Sequence, residues 1–477
     1  MCIVLTVFGP WCVCGCAVTG QTRAVAATHQ RPAPQRVFWA WCWSAPAAGD
    51  KNLYPMIWIR HADYATPATV VAETQNMPRG KVALFFWNGA ASLLSRPVDG
   101  CRTLAGKPTR YSSPWIRRGA DELGRRFTSF FQRYKAAGGR LNYLVLDYEA
   151  GITCWQISPA NAKAIQADPR FAGLKERLGF SNMQSIFEAG VQRRMWNLLA
   201  GRRVATALNR VFYRPARVYF PRVGGSNFGG EAMLGPHLAP DVNGHYQPED
   251  CIFGTAQSPA FYGTIGQLAG DVKGGAVYGH SSFAALRYEM IYLQAVERSS
   301  HKPVIPWIGY PEFVHTPHAA GYYRELVYQL ALRGVDRFLY WNPRAWRKNQ
   351  KYMATARSDR RLNHYLTVLN TKLGPMPGPA ERTGRVNWSS GLLVAGRKTF
   401  AGNILYRVTV PPGTTTIVAG PTGRRINTGG KCGVWVSSPA DQPLTFRVSH
   451  GRAGCTDVRL TVMAGAAPEQ MFLKGSL

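Results

Sequence analysis

Short, wholly apolar runs alternate with helical stretches from about residue 36 to 372, and this alternation limits the fold more than any other feature. Arg36 to Trp43 (RVFWAWCW), Lys81 to Trp87 (KVALFFW), Leu141 to Leu146, Arg217 to Val223 (RVYFPRV), Pro303 to Gly309 and Val335 to Trp341 read as strands. Ala120 to Ala137 has apolar residues at helical spacing and a Gly138-Gly139 stop. Asn182 to Phe212, Ser282 to Arg298 and Ala319 to Leu332 read as further helices. Strands apolar on both faces belong in a parallel sheet that helices cover on both sides. Sustained over this length, the pattern favours a (β/α) TIM-like barrel over an open sheet. In the first strand a period of two puts Trp39, Trp41 and Trp43 on one face. Gly224 to Gly279 is Gly-rich and irregular, so the strand count is seven or eight.

The barrel domain is expected over 27–372. A Pro/Gly linker follows at 373–380 (LGPMPGPA), and beyond it 381–477 changes to short strands and turns, the pattern of a β-sandwich. Residues 1–26 resemble a secretory signal peptide: Met1 to Val18 has no charged side chain, and Ala24-Val25-Ala26 is a small-x-small cleavage pattern. Two alternatives stand beside it. Val13-Cys14-Gly15-Cys16 is a loose lipobox with Cys16 as the lipidated residue, and the run also suits an uncleaved anchor. No other apolar run is long enough to span a bilayer, so no transmembrane domain is expected once the leader is removed. Removal leaves six cysteines, an even number without a CxxC pair, as in disulfide-bonded exported proteins. Cys432 and Cys455 share the C-terminal region and are expected to pair; the connectivity of Cys42, Cys101, Cys154 and Cys251 is open.

In such a barrel the chemistry sits at the carboxyl ends of the strands. Acidic residues are scarce, 26 against 57 Lys plus Arg, so their positions are informative. The strand Tyr143 to Leu146 leads directly into Asp147-Tyr148-Glu149. Two carboxylates two residues apart project to one side, and repulsion with desolvation raises the pKa of one, as a general acid requires. A strand-end pair bonded to loop amides or arginines is the structural alternative. Glu312 follows the strand Pro303 to Gly309, beside Tyr310 and Trp307, as a candidate nucleophile or substrate-binding carboxylate. Trp341 and Asn342 end the last strand, and Trp43 and Trp87 end earlier ones; with Tyr219 they supply aromatic surface and an amide for a carbohydrate cleft. No G-x-S-x-G elbow, P-loop or GxGxxG is present, and His315 and His318 lack an obvious third metal ligand. No cofactor or metal is therefore expected.

The segment Leu146-Asp147-Tyr148-Glu149 is similar to the D-x-E strand end of hyaluronidase-type barrel glycoside hydrolases and, more loosely, of chitinase-type ones. The resemblance covers about ten residues. It implies Glu149 as general acid, Asp147 as the group orienting a substrate acetamide that acts as nucleophile, Trp341 as the floor of the sugar subsite, and Tyr219 as the tyrosine holding the acetamido oxygen. The chain departs from the chitinase pattern at Asn142 and Val145, where that pattern has Asp, and from the hyaluronidase pattern at Tyr148, where it usually has Trp. A second assignment in the same class makes Glu149 the acid and Glu312 the nucleophile of a retaining enzyme, with carboxyl groups ~5–5.5 Å apart.

The net charge is +31, and the arginines are spread along the chain without a nucleic-acid motif. An acidic polysaccharide or other polyanion suits this charge; a high-arginine background explains it equally well. The expectation is an exported glycoside hydrolase acting on an N-acetylated or acidic polysaccharide. The competing class is a non-catalytic glycan-binding or envelope structural protein on the same barrel.

Overall fold

The computed structural model describes residues 37–87, 100–102, 108–112, 117–147, 206, 208–231, 254–261, 302–311, 319–344, 354–374, 392–399, 402–439, 441–450, 460–462 and 473–475, with 283, 286, 289, 290, 293, 296 and 297 of one helix. Its central sheet comprises β1 (Trp39–Cys42), β2 (Leu53–Pro55), β3 (Ile57–Trp58), β4 (Ala83–Trp87), β7 (Tyr143–Asp147), β8 (Gly224–Glu231), β9 (Ser258–Phe261), β10 (Trp307–Ile308) and β11 (Arg337–Tyr340). A separate antiparallel pair, β5 (Gly100–Arg102) and β6 (Pro108–Ser112), lies between β4 and β7 in the chain.

All pairings in the central sheet are parallel, and β1 pairs with β11. β2 and β3 are two halves of one stave on either side of Met56: β2 pairs with β1, and β3 with β4. The Met56 amide still donates to Cys42 O at 2.9 Å. The nine strands therefore close into a ring of eight staves, the (β/α) barrel expected from the apolar alternation.

The barrel interior is strongly aromatic. Trp39, Trp41 and Trp43 point inward from β1 and meet Phe85, Tyr143, Phe228 and Trp307. Trp41 stacks on Tyr143 at 4.6 Å between centroids and donates its indole N–H to Lys81 O at 2.7 Å. The Lys81 ammonium lies 3.3 Å from the centre of the Trp39 ring, near the amino-terminal end of the barrel. Outside the ring, helices α1 (Ala68–Gln75), α2 (Arg117–Ala136), α3 (Arg214–Tyr219), α4 (Ala319–Leu332) and α5 (Ala356–Leu373) cover the strands. Phe127, Phe130, Phe131 and Tyr134 form the buried face of α2, as their spacing requires, and pack with Phe86 and Phe212. Gly138, at φ +87°, ends α2 where the sequence places its stop.

Two readings are corrected. The Arg217 to Val223 segment is not a strand: its first residues finish α3, and the strand begins at Gly224. A short run of branched and aromatic residues suits either element, and here its outer side faces solvent as a helix. The Gly-rich stretch that looked irregular contains β8 and β9. Gly224 and Gly225 are required by close approach: a Cβ on Gly224 would sit 2.8 Å from the Tyr143 ring, and one on Gly225 3.1 Å from Tyr213. Glycine thus removes the apolar signal from a strand wedged between two tyrosines.

The C-terminal region holds two three-stranded antiparallel sheets. One joins β12 (Leu393–Lys398), β13 (Asn403–Thr409) and β16 (Gly433–Pro439); the other joins β14 (Thr416–Ala419), β15 (Arg424–Asn427) and β17 (Phe446–His450). Leu392, Ile404, Tyr406, Val408, Ile417, Val436 and Phe446 form the core between them. A further pair joins β18 (Leu460–Val462) and β19 (Leu473–Gly475). The linker residues 375–380 and the leader lie outside the described residues. Among the described residues no helix is long and apolar enough to cross a membrane.

The β12–β13–β16 sheet docks on α4. Glu325, fully buried, accepts from Arg407 Nε at 2.7 Å, from a second Arg407 nitrogen and from Thr409 Oγ1 at 2.9 Å. Gln329 Nε2 donates to Leu393 O, Arg407 O and Thr409 Oγ1, and Tyr322 donates its hydroxyl to Val410 O at 2.9 Å.

Candidate active site

The carboxyl ends of β1, β3, β4, β7, β10 and β11 open on one mouth. β7 carries Tyr143, Val145 and Asp147 on its inner face by the period of two; Tyr143 and Val145 belong to the interior cluster, so Asp147 is aimed into the mouth. Asp147 is 4 % exposed, and its backbone is paired with Trp87 at the end of β4. Glu149, two residues on, lies outside the described residues, as does Glu312.

Beneath Asp147 the floor is aromatic. Trp43 meets Trp58 edge-on at 4.3 Å, Phe85 at 4.6 Å and Trp307 at 6.1 Å. Trp58 donates its indole N–H to the backbone oxygen of Trp43 at 2.8 Å, which fixes the Trp58 ring. Trp43 and Trp307 are buried, whereas Trp58 and Trp341 are half-buried and keep ring surface accessible. The Trp341 ring lies 6.0 Å from Tyr310, itself buried, and its amide donates to Ile308 O at 2.8 Å. A ring face held open above a packed aromatic floor can stack on the C–H face of a sugar. The β4 backbone brings Trp87 to the same end; its side chain lies outside the described residues.

Three candidates stand elsewhere or do other work. Asn342 is fully buried: its Oδ1 accepts from Ser44 N at 2.8 Å, and its Nδ2 donates to Asp359 Oδ1 at 3.1 Å and Ser44 O at 3.3 Å. Its amide ties the exit of β1 to that of β11 and leaves no polar group for substrate. Asp359, in the first turn of α5, also accepts from Ala47 N and the Arg344 guanidinium; burial still holds its carboxyl above the usual range. Tyr219 ends α3, which feeds the amino-terminal end of β8, and packs against the helix-side core. It therefore lies at the opposite end of the barrel from Asp147 and cannot share its subsite. Trp43 serves as floor beneath the mouth, not as an open wall.

One residue at the mouth escaped sequence reasoning. Trp58 sits in a two-residue strand too short to show a period, so its only signal was its residue type. Glu231 ends β8 inside the glycine-rich stretch; its side chain lies outside the described residues. Neither Cys42 nor Cys432 is joined to another cysteine among the described residues. Cys42 is a fully buried thiol whose pKa is pushed well up by burial; Cys432 is half-buried, and its expected partner Cys455 lies outside the described residues.

No family model matches the chain, and no curated protein matches it. Among solved structures, it is similar to the PgaB (BpsB) glycoside hydrolase domain from Bordetella bronchiseptica, at 11 % identity over 65 % of this chain and 94 % of that one, with a TM-score of 0.39. An endo-β1,6-glucanase matches at 10 % identity over 88 % of this chain and 93 % of that one, TM-score 0.36. The catalytic domain of GH30 xylanase C from Talaromyces cellulolyticus matches at 10 % identity over 88 % and 98 %, TM-score 0.32. Similarity at this level assigns no residue a role.

Proposed function

We propose that the protein is an exported glycoside hydrolase that cleaves a polysaccharide at the carboxyl-end mouth of its barrel, with Glu149 as general acid and Asp147 as its orienting partner. The observation that carries the reading is Asp147: a carboxylate at the end of an apolar strand, aimed into a mouth floored by Trp43, Trp58 and Trp307. That is where barrel enzymes place their acids. In the proposed step Glu149 protonates the glycosidic oxygen as the C–O bond breaks. The developing positive charge at the sugar carbon is met by a nucleophile on the opposite face. With an N-acetylated substrate the nucleophile is the acetamido oxygen, oriented by Asp147; with other sugars Glu312 takes the role, which requires a carboxyl separation of ~5–5.5 Å from Glu149. Trp341 and Trp58 stack on the sugar rings flanking the bond.

The test is a reducing-end assay of the purified chain against hyaluronan, chitin oligomers, chondroitin and peptidoglycan, run beside Glu149→Gln. Turnover by the wild type that Glu149→Gln abolishes supports the assignment; turnover that survives in Glu149→Gln removes Glu149 as the acid. Absence of turnover on the whole panel favours the non-catalytic binding class.

A further inference from the structure

Part of the charge that looks scattered along the sequence is brought together on one face of the fold. Helices α2 and α3 lie side by side, with Gly124 against Val211 and Phe131 against Phe212. Along the turn leading into α3 and along α3 itself, Arg210, Arg214 and Arg217 recur at i, i+4 and i+7, one outward stripe; all three are exposed. Arg222, just beyond, is exposed as well. On α2, Lys135 reaches over the Phe220 ring at 5.4 Å, which brings its ammonium to the segment between Arg217 and Arg222.

Local acids do not balance this face. Glu122 is shared between Arg125 and Arg126, and Asp121 lies 3.6 Å from Arg210. Among the described residues no carboxylate bridges Arg214, Arg217, Arg222 or Lys135. A row of unpaired guanidinium groups is costly in self-repulsion unless an anion occupies it, and its planar forks match carboxylate or sulfate oxygens in pairs.

We propose that the outer face of α2 and α3 is a second, non-catalytic binding surface for a linear acidic polysaccharide, gripped by Arg214, Arg217, Arg222 and Lys135. The stripe runs along the barrel wall and suits an extended chain with repeating anionic groups. Two other polyanions fit less well. A single-stranded nucleic acid needs exposed aromatic platforms, and the rings at this face among the described residues are Phe220, buried, and Tyr219, half-buried against the helix-side core. A membrane needs an apolar stripe, and among the described residues Val218, 71 % exposed, is the one large apolar side chain presented here. The surface is independent of the mouth, so its occupancy does not depend on the glycosidase reading being correct.

The test is equilibrium binding of the full chain to polygalacturonate at physiological salt. The comparison set is Arg214→Ser/Arg217→Ser/Arg222→Ser, and an equal charge removal on the C-terminal sandwich, Arg424→Ser/Arg425→Ser/Lys431→Ser. Dextran, a single-stranded DNA and phosphatidylglycerol vesicles serve as competitors of other kinds, and thermal melts confirm that each variant is folded. The first variant is expected to lose tenfold or more in affinity with a shallower salt dependence, and the second to stay within twofold. Equal losses in both variants reduce the effect to net charge and overturn the proposal, as does unchanged binding in the first. Tighter binding of the wild type to DNA or to vesicles than to polygalacturonate overturns it too. Hydrolysis is read separately with Glu149→Gln, so failure at the mouth and failure at this face are distinguishable.

Discussion

Glu289 has both carboxyl oxygens buried and without hydrogen bonds, on the helix face that otherwise presents Phe283, Leu286, Met290 and Leu293 to the core. Burial pushes its pKa up to about 8. The folded state therefore keeps the proton where the unfolded chain, with its pKa near the ordinary 4.5, releases it. Stability contributed by this group is fully present below pH 4.5 and is lost as pH rises towards 8. Glu289→Met is expected to raise the melting temperature above wild type at pH 8 and to approach wild type at pH 4.5; a pH-independent difference would contradict this. At the same scale, Asp147 was legible because acids are rare and this one ends an apolar strand. Asn342 was not: its partners, Ser44 and Asp359, are remote in sequence, so a structural amide looks like a substrate-binding one.

Element packing decides which signals reach the sequence. The inward face of β1 was legible because Trp39 and Trp41, with Trp43 just beyond the strand, alternate with smaller residues. β8 was hidden because Gly224 and Gly225 give way to Tyr143 and Tyr213. Gly225→Val is expected to cost about 1–3 kcal/mol in urea unfolding through overpacking against Tyr213. Arg217 to Val223 misled for the converse reason: its residues suit a strand while their neighbours make them the end of α3. The α4–β13 contact has a polar logic that no hydrophobic pattern announces. Removing Arg407 leaves the buried Glu325 with only Arg324, at 3.1 Å, and Thr409 as donors, so Arg407→Leu is expected to cost about 1.5–3 kcal/mol. Glu325→Met/Arg407→Leu should recover most of that loss; no recovery in a double-mutant cycle would show that the pair contributes by packing alone.

On the scale of the whole molecule, barrel and sandwich share a buried polar interface in which Glu325 and Gln329 are fully buried. A chain ending at residue 374 would expose both and is expected to melt well below the full protein or to aggregate; an unchanged melting temperature would show that the sandwich is an independent appendage. The parallel barrel was readable from alternation, which left its strand count at seven or eight, whereas its closure through Met56 and the clustering of arginines on α2 and α3 depend on contacts between remote segments. The mouth remains the centre of the account, and kcat/KM for Glu149→Gln against wild type, on whichever polysaccharide the protein cleaves, tests it most directly. A fall of about 10²–10⁴-fold with the alkaline limb of the pH profile removed is the predicted result. Retained activity with an unaltered pH profile would contradict it.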